Sequence, residues 1–138
     1  MRELPRQLSV AELATLFSGR TRLVERLAER ENPLGVAREV VREAGEDEQA
    51  EALAAHPRIG DRSPEQHGDD PAVLAELAAL NRAYEERFGF RFVVFVNQRS
   101  RAEIVPVLRE RLGHTRSEEL RTGCDELVAI AIDRWQRA

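Results

Sequence analysis

The sequence contains no lysine, so all 21 of its basic residues are arginines. An enzyme that forms a Schiff base needs a lysine amine, and a Walker-type phosphate loop needs a lysine as well, so both mechanisms are excluded. The single cysteine, Cys124, excludes an intrachain disulfide and a zinc cluster built from thiolates. Because Cys124 lies at helical spacing from Leu120, Leu127 and Val128, we expect a buried structural thiol rather than a nucleophile.

Long apolar runs and an excess of positive charge are also missing. No apolar stretch approaches the ~20 residues that a membrane span needs. The first residues lead into amphipathic sequence rather than an apolar signal core, so we expect a cytoplasmic protein. The net charge of −4 and the dispersed arginines argue against a nucleic-acid partner. The 138 residues, 42% hydrophobic and 33% charged, are typical of one soluble domain spanning residues 1–138.

Amphipathic helices with clear start and stop signals account for most of the chain. Ser9, Ser100 and Thr115 each begin a capping box, with a glutamate three residues later. Gly89 follows the longest apolar stripe and marks its C-terminal end. Pro106 indicates that the helix after Ser100 is either kinked or begins later than its capping box suggests. The pattern predicts an all-α fold, a single compact domain of about seven or eight helices.

Residues 90–96, Phe-Arg-Phe-Val-Val-Phe-Val, do not fit a helical interpretation. The β-branched and aromatic side chains favour a strand, but the sequence offers no second strand to pair with it. We therefore expect one extended segment near residues 90–96 that runs between helices. Some of its backbone amides would then be free to bind another molecule.

A polar island from His56 to Gly68 separates two helix-forming stretches. It holds two of the three histidines, a glutamate, an aspartate, two arginines, two prolines and two glycines. A simple linker gains nothing from imidazoles beside carboxylates, whereas a histidine and a glutamate can exchange protons with a substrate. His56 and Glu65 are therefore candidate catalytic residues, and Arg58 and Arg62 are available to bind a substrate carboxylate.

Three motifs in this region follow one another in a characteristic order. They are His-Pro-Arg-Ile-Gly at residues 56–60, Glu-Gln-His-Gly at residues 65–68, and an Asn-x-x-Tyr helix that leads into Phe-Gly-Phe-Arg-Phe-Val-Val at residues 81–94. Together they resemble the 2-oxo-4-hydroxy-4-carboxy-5-ureidoimidazoline (OHCU) decarboxylase family of urate degradation, over a stretch from about Leu53 to Trp135. The resemblance implies an all-helical, cofactor-free homodimer that converts OHCU to (S)-allantoin and carbon dioxide.

Matched by position, the resemblance assigns several residues to the site. His56 would be the proton donor, and Glu65 would hold the substrate hydroxyl or tune the histidine. Pro57 and Gln66 would line the pocket, and Arg134 would lie near the ligand. Hydrogen bonds to the ureido or ring amides would come from the backbone of five consecutive residues: Phe92, Val93, Val94, Phe95 and Val96.

The loop between the first two motifs is shorter than in the family. Ser63 therefore lies two residues before Glu65 instead of three, and Arg62 occupies the position of the family's substrate-binding serine. Both Arg62 and Ser63 are candidates for that role. The short loop also leaves open a related ureido or imidazoline substrate.

Two further interpretations remain open beside the enzyme. A non-catalytic helical binding or regulatory module would use the polar island to recognise a small anion or a partner helix, and would not need His56 and Glu65 at one cavity. A metal site formed by His56, Asp61 and His67 matches no established ligand spacing, so we expect no metal.

Overall fold

Seven α-helices form the part of the chain that our computed structural model describes, residues 2–60 and 70–138. The predicted all-α fold is confirmed, and the number of helices agrees with the prediction. None of these helices has an apolar stretch long enough to cross a membrane. In chain order the helices are α1 (Val10–Leu16), α2 (Arg22–Ala28), α3 (Pro33–Glu43), α4 (Glu46–Ala54), α5 (Pro71–Phe88), α6 (Arg101–Arg111) and α7 (Arg116–Arg137).

Side-chain caps begin the helices where the sequence predicts them. Ser9, Ser100 and Thr115 each accept a hydrogen bond from an amide three residues later, and the glutamate at that position bonds back to the amide of the cap. Helix α6 begins directly after Ser100 and includes Pro106, so of the two alternatives the later start is excluded. The capping box satisfies two amides at the start of α6, which offsets the single hydrogen bond that Pro106 cannot make.

The hydrophobic core lies where α2, α3, α4 and α7 pack against one another, with α1 against α2 and α7, and α5 against α6. Cys124 on α7 is only 1% exposed within this core. Burial, with the nearby negative charge of Asp125, raises the pKa of its thiol to about 12. The prediction of a buried structural cysteine is confirmed, because such a thiol is not a nucleophile at neutral pH.

The segment expected to be extended, residues 90–96, follows α5 and is neither helical nor paired with a neighbouring strand among the described residues. Aromatic rings bury its beginning. The ring of Tyr84 on α5 lies 4.6 Å from that of Phe88 and 5.2 Å from that of Phe92, measured between ring centroids. The segment is thus held by side-chain packing from the helices rather than by a sheet.

Gly89 makes the turn between α5 and the extended segment. Its φ of +79° and ψ of 10° lie in the left-handed region, and its N–H donates to the carbonyl of Glu85 at 2.9 Å. A side chain at this φ strains the backbone even where space is available.

We expect Gly89→Ala to lower the free energy of unfolding by about 1–2 kcal/mol, the cost of a left-handed conformation for a residue with a Cβ atom. No atom lies within 4 Å of the position of that Cβ, so a steric clash does not contribute. Urea denaturation measures the change. Gly113→Ala is the matched control, because Gly113 follows α6 without a left-handed φ and the new Cβ would meet only the Glu110 carbonyl at 3.4 Å. Equal losses in the two variants would contradict the explanation.

Candidate active site

His56 follows the C-terminal end of α4 and is buried, with 4% exposure. Its N–H donates to the carbonyl of Leu53 at 3.2 Å, which extends the last helical turn by one residue. Pro57 then ends the turn, because the residue before a proline disfavours the helical region. The Nε2 atom of His56 is buried and has no hydrogen-bond partner in the described chain. An unsatisfied buried nitrogen is costly, so this atom is suited to meet a ligand.

His56 lines a cleft of about 620 Å³, a volume typical of small-molecule sites. Three parts of the chain form its walls. They are the loop after α4, residues 56–60, the extended segment with the turn that follows it, residues 92–98, and the last turns of α7 together with the first residue of α6.

Positive charge predominates in the described part of this cleft. Four arginines line it, Arg58, Arg101, Arg134 and Arg137, against the single carboxylate of Asp133. Asp133 accepts a hydrogen bond from the Nε atom of Arg137 at 2.9 Å. Arg58 is likewise paired, because its Nε atom donates to Oε2 of Glu85 at 2.6 Å. The positive charge that favours an anionic ligand therefore comes chiefly from Arg134.

Arg134 comes from α7, and the N-terminal region fixes its position. Its Nη1 atom donates to the carbonyl of Leu16 at 2.8 Å and to the hydroxyl of Ser18 at 2.7 Å. Burial lowers the pKa of the guanidinium, which nevertheless remains a cation at neutral pH. Its other nitrogens have no hydrogen-bond partner among the described residues, and Arg134 lines the cleft.

Burial is the main cause that lowers the pKa of His56 from 6.5 to about 4, and the positive charges of Arg134 and Arg91 add to it. Arg91 stands at the start of the extended segment and donates to the carbonyl oxygen of Ala54 at 2.7 Å and to that of His56. The imidazole is therefore neutral at neutral pH. A bound anion would oppose the arginines and make protonation of His56 easier.

The extended segment presents its two backbone edges differently, because successive peptide groups of an extended chain point in opposite directions. On one edge, the carbonyl of Val93 accepts from Arg111 at 2.8 Å, the N–H of Phe95 donates to Glu126 at 3.3 Å, and the carbonyl of Phe95 accepts from Arg99 at 2.7 Å. On the other edge, the N–H and the carbonyl of Val94 have no hydrogen-bond partner among the described residues. Val94 thus offers an adjacent donor and acceptor.

The structure brings several of the predicted residues to one cleft: His56, Pro57, Arg134 and the segment from Phe92 to Val96. Their roles in binding and catalysis stay predictions. The other predicted residues, Arg62, Ser63, Glu65 and Gln66, lie outside the described residues, as do Asp61 and His67.

Sequence reasoning did not identify Arg101, Asp133 and Arg137 as lining residues. The signal for Arg137 was helical spacing, because it lies three residues after Arg134 and so shares a face of α7. Asn81 on α5 contacts the loop after α4, since its Nδ2 atom donates to the carbonyl of Ile59 at 2.9 Å.

The family model for OHCU decarboxylase matches residues 2–136, almost the whole of the chain. This chain belongs to the OHCU decarboxylase family. The family resemblance seen in the sequence motifs is thereby confirmed.

Individual relatives agree with this family assignment. The chain is 32% identical over 108 residues to an OHCU decarboxylase from Halalkalicoccus jeotgali and 33% identical over 103 residues to one from Haloferax volcanii. These matches cover 70% and 66% of the chain, and 61% of each relative's length. A crystal structure of OHCU decarboxylase in the presence of (S)-allantoin superimposes with a TM-score of 0.77 at 25% identity, covering 89% of this chain and 94% of that one.

The lowered pKa of His56 predicts a pH-dependent stability. Between about pH 6.5 and pH 4, the histidine binds a proton in the unfolded state but stays neutral in the folded state, so folding weakens as the pH falls through this window. We expect wild-type protein to lose about 2 kcal/mol more than His56→Asn on going from pH 7 to pH 5, from this shift alone. Chemical denaturation at both pH values measures the difference. Parallel losses in the two proteins would show that His56 is not buried in neutral form.

Proposed function

We propose that this protein catalyses the cofactor-independent decarboxylation of OHCU to (S)-allantoin in urate degradation. The observation that carries the proposal is the buried, neutral His56, whose Nε2 has no partner among the described residues and lines a cleft that Arg134 also lines. Membership of the family and the likeness to an OHCU decarboxylase structure support it. The family resemblance leads us to propose also that the enzyme is a homodimer and works in the cytoplasm.

The reaction requires the protein mainly to position the substrate and to transfer a proton. When the bond between the ring carbon and the carboxylate breaks, the electron pair enters the substrate's own imidazoline ring, which acts as the electron sink. The enzyme needs to orient the carboxylate, stabilise the developing charge on the ring and deliver a proton to one face. A chain without lysine is suited to this reaction, because no Schiff base is required.

Arg134 is placed to bind the substrate carboxylate. Its guanidinium is half-buried, and hydrogen bonds to Leu16 and Ser18 hold it in one orientation. Desolvation strengthens the attraction between such a cation and a carboxylate. As carbon dioxide leaves, the negative charge moves from the carboxylate to the ring, toward the part of the cleft that His56 lines.

His56 is the proposed proton donor to the ring carbon. Because its pKa is lowered to about 4, the resting imidazole is neutral and must first take up a proton. The substrate hydroxyl can supply that proton, since its carbon becomes a ring amide carbonyl in the product. The same imidazole then returns the proton to one face of the adjacent, ureido-bearing ring carbon, so that a single enantiomer results. Water protonates the ring nitrogen that holds the negative charge left by the departed carboxylate. Glu65, outside the described residues, is proposed to hold the hydroxyl or to tune the histidine.

The free edge of the extended segment is the proposed site for the ureido group or the ring amides. A ureido group carries N–H donors beside a carbonyl acceptor, and Val94 presents the complementary pair on its own backbone. The pairing would resemble the addition of one short strand to the edge of another. This gives the unpaired segment a role in recognition.

We expect His56→Asn to lower kcat by at least about 100-fold, because a positioned proton donor contributes this much or more. OHCU is generated in solution from urate by upstream enzymes, and the circular dichroism of allantoin follows its formation. Wild-type protein should give (S)-allantoin rapidly and in a single enantiomeric form. Arg6→Gln serves as a surface control, because the exposed side chain of Arg6 pairs with the exposed Glu31 and does not line the cleft. Racemic allantoin at the rate seen without protein would reject the proposed function.

Binding of (S)-allantoin tests the backbone contacts separately from catalysis. In a titration followed by two-dimensional ¹H–¹⁵N NMR, we expect the amide signal of Val94 to move strongly, because its N–H gains a hydrogen bond to the ligand. The signal of Phe95 should move less, since its N–H already donates to Glu126. Larger shifts at Phe95 than at Val94 would place the ligand on the opposite edge and contradict the proposed contact.

A further inference from the structure

A buried polar network lies behind the extended segment, outside the lining of the cleft. Glu119 on α7 is 0% exposed, and Arg111 at the end of α6 is 6% exposed. The Nε atom of Arg111 donates to Oε1 of Glu119 at 2.8 Å, and the hydroxyl of Tyr84 donates to the same oxygen at 2.6 Å. The other carboxylate oxygen lies 2.8 Å from Nδ1 of His114. Three helices, α5, α6 and α7, therefore meet at one carboxylate.

Arg111 connects this network to the backbone of the segment. While Nε is held by Glu119, Nη1 donates to the carbonyl of Val93 at 2.8 Å. The guanidinium also lies over the ring of Phe92, 4.5 Å from its centroid. The planar fork of an arginine keeps its donors at fixed angles, so anchoring one nitrogen fixes the direction of the others. The position of Val93 is thus set by Glu119 through a rigid group.

Val93 is the neighbour of Val94, whose backbone faces the opposite way. The carbonyl of Val93 and the N–H of Val94 belong to the same planar peptide group. The hydrogen bond from Arg111 to that carbonyl therefore also fixes the direction of the Val94 N–H. Glu126 and Arg99 hold the same rear edge one step further along, at Phe95. The bond from Arg111 to Val93 is thus the first, in chain order, of the contacts that hold this edge.

We propose that Arg111 and Glu119 are positioning residues, which set the backbone of residues 93–95 in the orientation that binds the ligand. This inference rests on the proposed function only for the identity of the ligand. Neither side chain lines the cleft, so both act through the segment. Stability alone does not account for the pair, because apolar side chains of similar volume often replace a buried ion pair without loss of stability.

A double variant separates positioning from stability. Arg111→Met combined with Glu119→Gln leaves no unpaired charge in the core, and the glutamine oxygen can still accept the Tyr84 hydrogen bond. The variant removes the anchor on Val93, together with the contact between the guanidinium and the Phe92 ring and the charge beside His114. The control double variant, Arg42→Met with Asp125→Asn, removes another arginine–carboxylate pair that involves α7, joined at 3.1 Å, but does not touch the segment.

We expect the folded double variant to show a KM about tenfold higher with little change in kcat, because the lost hydrogen bond supports binding in the ground state and the transition state alike. Hydrogen exchange of the Phe95 amide should become about tenfold faster, since its bond to Glu126 depends on the same register. The control should leave both quantities unchanged. If the double variant does not fold, Arg111→Lys gives the same comparison, because lysine retains the charge beside Glu119 without the fork that reaches Val93.

A stable double variant with wild-type KM and wild-type exchange at Phe95 would overturn the inference. An outcome in which wild-type protein neither turns over OHCU nor binds (S)-allantoin would reject the proposed function instead. In that case the exchange rate of Phe95 still decides whether Arg111 and Glu119 hold the segment.

Discussion

A single extended segment cannot satisfy its own backbone hydrogen bonds, and the region around the cleft is arranged around this constraint. Without a neighbouring strand, each buried carbonyl needs a donor from elsewhere. Arginine side chains supply the donor at three of these carbonyls. Arg111 reaches Val93, and Arg99 donates to the carbonyls of both Phe95 and Val96. A guanidinium has five N–H donors in a rigid plane and can bond two groups at once, which an ammonium does less well. In this segment, arginine side chains donate the hydrogen bonds that a neighbouring strand would otherwise supply.

Hydrogen bonds from an arginine to backbone carbonyls also join the segment to the loop that carries His56. Arg91 belongs to the segment but donates to the carbonyls of Ala54 and His56 at the end of α4. One side chain thereby fixes the distance between two walls of the cleft and places a positive charge near the imidazole. The low pKa of His56 thus follows from the same arrangement, because burial of the loop and the neighbouring arginines both favour the neutral form.

Local signals in the sequence predicted the helices and the segment, whereas the burial of charged side chains depends on the tertiary fold. The capping boxes at Ser9, Ser100 and Thr115 depend on residues three apart, so they can be read directly from the chain. Glu119 shows the opposite case. In the first turn of α7 a glutamate is normally solvent-exposed, and only the approach of Arg111 and Tyr84 from two other helices makes its burial favourable. No short-range pattern contains that information.

One edge of the segment is bound by the rest of the protein, and the other edge is the proposed site of ligand recognition. Side chains from α6, from α7 and from the turn that joins the segment to α6 bind the edge that carries Val93 and Phe95. The backbone of Val94 is left for a ligand. A ligand that meets groups already fixed in place loses less free energy to ordering the protein. This matters most for a reaction in which the substrate provides its own electron sink, because the protein then contributes chiefly through position and charge. In such an enzyme, buried groups that never touch the substrate can govern binding as strongly as those that do.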